Sequence, residues 1–129
     1  MAKHDFTVAI KRVYDQPEPG DGTRILVDRL WPRGLSKERA KVDVWLKEVA
    51  PSNDLRKWFG HDPEKFAEFR RRYTAELKSQ GEALGELRGT VRGRTITLLT
   101  ATKELDLSHA TVLRALLGRY SPRPAPQGQ

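Results

Sequence analysis

Two nearly continuous apolar runs constrain the fold of this chain more than any other feature of its sequence. They form the centres of TRILVDRL, 23–30, and TITLLTA, 95–101. Such runs are typical of strands buried on both faces, because alternation is lost when helices cover both sides of a sheet. We therefore predict strands over these two segments, and another over 6–14, where FTVAIKRVY alternates and is rich in β-formers.

Helical patterns occupy much of the chain between the second and third strands. One apolar stripe has the spacing i, i+3, i+4, i+7 and consists of Val42, Trp45, Leu46 and Val49. Further helices are predicted after Ser52, from Asp62 to about residue 79, and after Asp106 or Ser108. The order β-β-α-α-α-β-α predicts an α/β fold with a small, mostly parallel sheet of three to four strands flanked by helices.

The sequence predicts the relative direction of the second and third strands, but it leaves that of the first strand open. The second and third strands should run parallel, because helices of sufficient length connect them. The loop between the first two strands, which contains QPEPGDG, is shorter than the dozen or so residues that a parallel crossover usually needs. A hairpin fits that length, so the direction of the first strand stays open.

The length of 129 residues fits a single domain, predicted over 1–120. The segment SPRPAPQGQ, 121–129, has three prolines and no core residues, and we expect it to be a disordered tail. The absence of cysteine excludes disulfides, thiolate chemistry and Cys-type zinc sites. No apolar run approaches the ~18 residues of a membrane span, and MAKHDFTVAI lacks the apolar core of a signal peptide, so a cytoplasmic protein is expected.

Polar residues follow both apolar runs at the points where the predicted strands end. In an open α/β sheet, ligands bind beyond the carboxyl ends of the parallel strands. If the two strands run parallel, we expect one crevice to be surrounded by Asp28, Arg29, Arg33, Lys103 and His109.

The chemistry of this crevice favours an anion. A helix that begins at Ser108 presents free backbone N–H groups and the positive end of its dipole. Arg29 and Arg33 add planar guanidinium groups that match a phosphate or a carboxylate. His109, in the first helical turn, would be a neutral base near pH 7, with Asp28 orienting it or an arginine.

The same residues also have purely structural interpretations. Asp28 and Arg29 could form ion pairs that tie the loop down, and His109 could cap or pack. Trp31 could be a lid over the sheet edge and not a ligand platform. The sequence contains no HExxH, GxGxxG, Walker or GxSxG motif, so we predict no metal site and no cofactor.

Three stretches together resemble the YeaO-like branch of DUF488, a bacterial family of domains of unknown function. They are VDRLWPRGLSKE, WLKEVAPSNDLRKWFGHDPEKFAEFRRRY and TLLTATKELDLSHATVL, within residues 8–117. The resemblance implies a small cytosolic α/β protein with a mostly parallel sheet, in which the first strand runs parallel to the second. It implies no known activity.

The family-like stretches include several of the candidate site residues. Those that coincide with the expected crevice are Asp28, Arg29, Trp31, Arg33 and His109, and those within RKWFGHDP are Arg56, Trp58 and His61. Longer relatives carry a cysteine-histidine-arginine run after the last strand. Here Ser108 and Ala110 flank His109 at that place, so a thiol mechanism does not transfer to this chain.

Three functions are compatible with these features. The first is binding of a phosphate-bearing small molecule, with the ligand-binding residues Arg29, Trp31, Arg33, Arg56, His61, Lys103 and Ser108. The second is association with nucleic acid, because the net charge is +7 and its excess lies mostly in the C-terminal third, through Arg88, Arg92, Arg94, Lys103, Arg114, Arg119 and Arg123.

The third is a small hydrolase-like enzyme with His109 as base and Asp28 as its orienting carboxylate. The sequence leaves open whether the protein is an enzyme. A sheet of three strands is small, which is consistent with a homodimer, and no membrane partner is expected.

Overall fold

The two apolar runs lie side by side in the middle of a parallel sheet. The structure, a computed structural model, describes residues 7–89 and 95–118, and within these residues the sheet has four strands in the order β1-β4-β2-β3. The strands are β1 (Thr7–Arg12), β2 (Thr23–Leu26), β3 (Val44–Trp45) and β4 (Thr95–Thr100). All of their pairings are parallel, which confirms the predicted α/β fold class.

Five helices of the described residues follow or flank these strands. They are α1 (Lys37–Ala40), α2 (Asn53–Phe59), α3 (Phe66–Lys78), α4 (Gly81–Gly89) and α5 (His109–Gly118). Short 3-10 turns lie at Pro19–Asp21, Lys47–Val49, Pro63–Lys65 and Leu105–Leu107. No described helix has the length and apolar character needed to cross a bilayer. The predicted tail at 121–129 lies outside the described residues.

The first strand runs parallel to its neighbour, as the resemblance implies. Its neighbour is β4 and not β2, so the short loop after β1 does not join adjacent strands. The hairpin that its length also allowed is therefore wrong, because a hairpin needs two antiparallel neighbours. The 3-10 turn at Pro19–Asp21 brings the chain back to the start of β2.

The sheet separates two cores of unequal size. Alternation along β2 sends Ile25 and Val27 into the larger core with α2 to α5, whereas Leu26 faces the smaller core with Leu99 and Ala40. Burial on both faces explains why the two runs are apolar without alternating. Both sequence runs were therefore correctly interpreted as interior strands, although β2 ends at Leu26, earlier than predicted.

The predicted helix through Val42 and Val49 is wrong. Helix α1 ends at Ala40, Lys41 adopts a left-handed conformation with φ of 51°, and the chain then forms the edge strand β3. The four apolar residues do not share one face: Val42 and Trp45 pack in the smaller core, whereas Leu46 and Val49 pack in the larger one. The segment packs its first two apolar residues against one core and its last two against the other, so their spacing matches that of a helix although no helix forms.

Arg24 is a buried charged residue, and each of its three guanidinium nitrogens donates a hydrogen bond. Its guanidinium donates to the Asp21 carboxylate at 2.5 Å and to the carbonyls of Ala40 at 2.7 Å and Lys41 at 2.9 Å. Its side chain is 5% exposed. These bonds tie the loop before β2 and the end of α1 to the sheet, so this charge has a structural role.

Gly22 provides a test of how closely the loop before β2 approaches the sheet. Its φ is 66°, and a Cβ at this position would lie 2.1 Å from the carbonyl oxygen of Thr95. We expect Gly22→Ala to lower the free energy of unfolding by at least about 2 kcal/mol, because both the backbone conformation and the contact become strained. Urea denaturation measures the change. Gly20→Ala is the matched control, since nothing lies within 4 Å of its added Cβ, and an equal loss in both variants would contradict the prediction.

Candidate functional site

The carboxyl ends of β4 and β2 lie level with each other, and Asp28 connects them. The backbone N–H of Val27 donates to the carbonyl of Leu99 at 3.1 Å. One residue further on, Oδ2 of Asp28 accepts the backbone N–H of Ala101 at 2.8 Å. We call the edge formed by Arg12, Asp28, Arg29, Ala101 and His109 the rim.

Asp28 and His109 form a close pair in the rim. Nε2 of His109 lies 3.2 Å from Oδ1 of Asp28 and 3.0 Å from the carbonyl oxygen of Val27. Both neighbours are acceptors, so Nε2 is the nitrogen that carries the proton, and the lone pair of a neutral ring is on Nδ1. The side chains of His109 and Asp28 are 12% and 16% exposed. The pair that the sequence placed in one crevice is therefore assembled.

The carboxylate of Asp28 is unequally bonded. Oδ2 has the strong bond from Ala101, but Oδ1 is buried and has no well-aligned hydrogen bond among the described residues, although it lies within ion-pair distance of His109. The shorter contact of His109 with Val27 explains this, because one N–H cannot point at two acceptors equally well.

Two opposing effects act on the pKa of Asp28. Burial raises this pKa, but the close polar contact and charge of His109 and the N–H of Ala101 outweigh burial, so the pKa lies below its ordinary value of 3.8. The rim therefore contains a fixed negative charge at neutral pH.

Arg29 turns from the rim toward the loop that precedes α2. Its Nη2 donates to the carbonyls of Ala50 and Pro51, both at 3.4 Å, which is longer than an ordinary hydrogen bond. Its Nε is buried without a partner among the described residues. The guanidinium contacts this loop through carbonyl oxygens and not through the ion pair that the structural interpretation named, and its bonding capacity is only partly used.

Arg12 is a rim residue that the sequence reasoning missed. It ends β1, its Nη2 donates to the carbonyl of Ala101 at 3.3 Å, and its Nε is a buried atom for which the described residues offer no partner. A sequence signal for it existed, because Arg12 is a charged residue at the end of a predicted strand, as Asp28 is after ILV. Only the direction of β1 could have placed it at this edge, and the sequence left that direction open.

Trp31 occupies the position of a lid. Its indole N–H donates to the carbonyl of Leu35 at 2.6 Å, and its ring meets Trp45 edge to face at 5.4 Å in the smaller core. The indole N–H is thus already bonded within the protein, and much of the ring packs in the smaller core.

Arg33 and Lys103 are exposed, and the carbonyl oxygen of Arg33 accepts a hydrogen bond from the hydroxyl of Tyr14 at 3.1 Å.

Ser108 lies directly before α5, but its side chain faces the preceding turn. The hydroxyl is buried and donates to the carbonyl of Leu105 at 2.7 Å. Its carbonyl accepts the N–H of Thr111 at 3.2 Å and the hydroxyl of Thr111 at 2.8 Å. The serine thus anchors the entry to the helix, and in this conformation its hydroxyl is already bonded to the protein.

The RKWFGHDP residues lie on α2 and the turn after it. Arg56 donates to Asn53 at 3.0 Å, and His61 is exposed, with φ of 58° and its ring 6.0 Å from that of Phe59. Trp58 lies against the cations of Lys65 and Arg72, at 5.0 and 4.3 Å. No hydrogen bond, ion pair or ring contact given for the described residues joins Arg56 or His61 to the rim, and within those residues no three His, Asp or Glu side chains form a metal-binding group.

The lowered pKa of Asp28 predicts a pH-dependent stability. Because the pKa is lower in the folded than in the unfolded chain, the stabilisation is present above pH 3.8 and is lost as the pH falls through the folded-state value. We expect Asp28→Asn to lower the free energy of unfolding by about 1–3 kcal/mol near pH 7, and by progressively less below pH 4. Urea denaturation from pH 7 to pH 2.5 measures this. Asp106→Asn, at an exposed aspartate, is the control, and a loss for Asp28→Asn that is independent of pH would contradict the prediction.

Comparison with known proteins places this chain in a family. A family described as "Inactive DUF488-N3 subclade" matches residues 7–125. An uncharacterized protein of Mycobacterium tuberculosis, Rv3073c, is 47% identical over 110 residues, which cover 85% of this chain and 92% of that protein. The uncharacterized protein YeaO of Escherichia coli is 43% identical over 108 residues, 84% of this chain and 94% of its own length. No solved structure matches. The chain therefore belongs to the family described as "Inactive DUF488-N3 subclade".

Proposed function

We propose that this protein binds a small anionic, phosphate-bearing ligand at the rim and does not turn it over. The observation that carries the proposal is the state of Arg12 and Arg29. Both guanidiniums lie at the carboxyl edge of the parallel strands, where open α/β sheets bind ligands. Both are held by long contacts to carbonyl oxygens, and each retains an unpaired Nε.

Binding of an anion to an incompletely bonded guanidinium is favourable, because unsatisfied N–H donors acquire acceptors. A buried N–H without a partner costs about 1–3 kcal/mol, and a charge-assisted bond to phosphate is shorter and stronger than a bond to a carbonyl. A small rotation of either arginine would exchange contacts of 3.3–3.4 Å for such bonds. Because their Nε atoms are buried at present, ligand binding requires this rotation.

The charges of the rim support an anionic ligand. Arg12 and Arg29 contribute two positive charges, while Asp28 contributes one negative charge that already pairs with His109 and Ala101. An anion at the arginines therefore enters a region of net positive charge. Arg33 and Lys103 are exposed cations on the loops that leave β2 and β4, and they add to the attraction of a ligand from solvent.

The Asp28–His109 pair makes a hydrolase-like enzyme the second candidate. A carboxylate that fixes one nitrogen of a histidine leaves the other nitrogen as a base, and here that nitrogen is Nδ1. The word "Inactive" in the description of the family supports binding without turnover instead. In addition, the hydroxyl of Ser108, which is next in the chain to His109, is buried and bonded to Leu105.

Association with nucleic acid stays a prediction from the sequence. Four of the basic residues behind it, Arg92, Arg94, Arg119 and Arg123, lie outside the described residues. No described contact favours a nucleic acid over a small anion.

The arginines provide the direct test of ligand binding. We expect inorganic phosphate and pyrophosphate to raise the melting temperature of the wild-type protein, because a ligand that binds only the folded state stabilises it. Arg12→Ala and Arg29→Ala should each weaken binding at least about tenfold, as expected for the loss of a charge-assisted bond. Isothermal titration calorimetry gives the dissociation constants.

Arg71→Ala is the matched control, because Arg71 is an exposed arginine on α3 that pairs with Glu68. It removes the same charge from the protein as a whole and should leave the affinity within about twofold. Equal weakening in all three variants would mean that only net charge attracts the anion. Unchanged binding in Arg12→Ala and Arg29→Ala would refute the site.

Turnover is tested separately with para-nitrophenyl phosphate and para-nitrophenyl acetate. We expect the wild-type protein to release para-nitrophenol no faster than buffer does, because the proposal assigns no reaction to the rim. A rate above this background that disappears in His109→Gln, with the melting temperature retained, would replace the binding proposal by the hydrolase candidate.

A further inference from the structure

We infer that the ligand has an apolar, ring-sized body next to its acidic group, so that the rim selects organic phosphates over inorganic phosphate. This inference rests on the proposed function and names the class of ligand for the same site. It is based on the distribution of exposed apolar side chains, which is independent of the arginine contacts used above.

Within the described part of the chain, two large hydrophobic side chains are exposed, and each lies within two residues of a rim residue along the chain. Tyr14 is 43% exposed and Leu30 is 67% exposed. Tyr14 comes two residues after Arg12, and Leu30 comes two residues after Asp28. An isolated exposed leucine needs no explanation, but the restriction of both residues to the strand ends that form one candidate site does.

Direct contacts connect this apolar surface to the cations. The guanidinium of Arg12 lies over the ring of Tyr14 at 5.1 Å. The hydroxyl of Tyr14 donates to the carbonyl of Arg33, in the same loop as Leu30, at 3.1 Å. The loop after β1 and the loop after β2 are thereby joined at the rim, and an anion bound to Arg12 lies next to the aromatic ring.

Leu30 is exposed, whereas its neighbour Trp31 faces inward. Trp31 occupies the inward position, with its indole bonded to Leu35 and its ring against Trp45. Pro32 is buried beside it. Leu30 is 67% exposed, so its apolar surface is available to a ligand.

Ligand sites combine apolar walls with a few well-placed polar groups, and the rim fits that description. Arg12 and Arg29 would bind the acidic group, and Tyr14 and Leu30 would contact the body. A planar ring suits Tyr14, since aromatic rings stack with an offset or meet edge to face. The class of ligand is therefore an aryl or similar phosphate monoester.

Phenyl phosphate and inorganic phosphate are the probes. We expect calorimetry to give at least about tenfold tighter binding of phenyl phosphate to the wild-type protein, because each buried methylene-sized group contributes about fourfold. Leu30→Ser should remove much of this preference and leave the affinity for inorganic phosphate within about twofold. Tyr14→Ser should also remove much of the preference.

Two conservative variants separate apolar contact from loop structure. Leu30→Met keeps the apolar surface and should keep the preference for phenyl phosphate. Tyr14→Phe keeps the ring but removes its bond to Arg33, and it should also keep the preference. If Tyr14→Phe behaved like Tyr14→Ser, the hydroxyl bond and not the ring would be responsible, and the inference for Tyr14 would fail.

The outcomes distinguish the two levels of proposal. If neither probe binds the wild-type protein, the proposed function itself fails. If both bind with equal affinity, or if Leu30→Ser weakens both equally, anion binding stands and the apolar class of ligand is overturned. A preference for phenyl phosphate that depends on Leu30 and Tyr14 supports both.

Discussion

The parallel pairing of β2 with β4 is the constraint on which the rest of this molecule depends. Their register aligns Leu26 with Leu99, so the residues that follow each strand emerge at the same edge. Asp28 then bonds to the backbone beyond β4, and His109 reaches Asp28 from the start of α5. An antiparallel arrangement would send these ends to opposite edges of the sheet. The candidate site is therefore a direct consequence of strand direction.

Arginines in two surroundings show how the same side chain can serve structure or binding. Each guanidinium nitrogen of Arg24 donates a short bond, to the Asp21 carboxylate or to one of two carbonyls, over 2.5–2.9 Å. Arg12 and Arg29 make contacts of 3.3–3.4 Å and retain buried N–H groups without partners. A buried guanidinium that has a short bond from every nitrogen stabilises one conformation, whereas one with an unpaired nitrogen can exchange its contacts for a ligand. This contrast, more than the excess of positive charge, locates the candidate site.

The stretch DRLWPRG combines both roles within a few residues. Asp28 closes the edge of the sheet, and Trp31 covers the smaller core. Trp31 faces inward, whereas Leu30, which is next to Arg29 in the chain, is exposed to solvent. Exposure of an apolar side chain to water is unfavourable unless a ligand covers it. The stretch thus bonds the segment after β2 to the backbone after β4 and exposes apolar and cationic side chains to solvent. Ser108, in contrast, has only a structural contact here, since its hydroxyl donates to the carbonyl of Leu105 in the turn before α5.

The interior strands and the polar residues after them could be predicted from the local sequence, because burial on both faces leaves a continuous apolar run. The sequence also brought Asp28 and His109 together correctly once those strands were taken as parallel. It could not assign the 42–49 segment, whose apolar residues divide between two cores, and it could not find Arg12, whose position depends on the direction of β1. These points required the folded structure, since strand order, hydrogen-bond partners and unsatisfied donors arise from contacts between residues far apart in the chain.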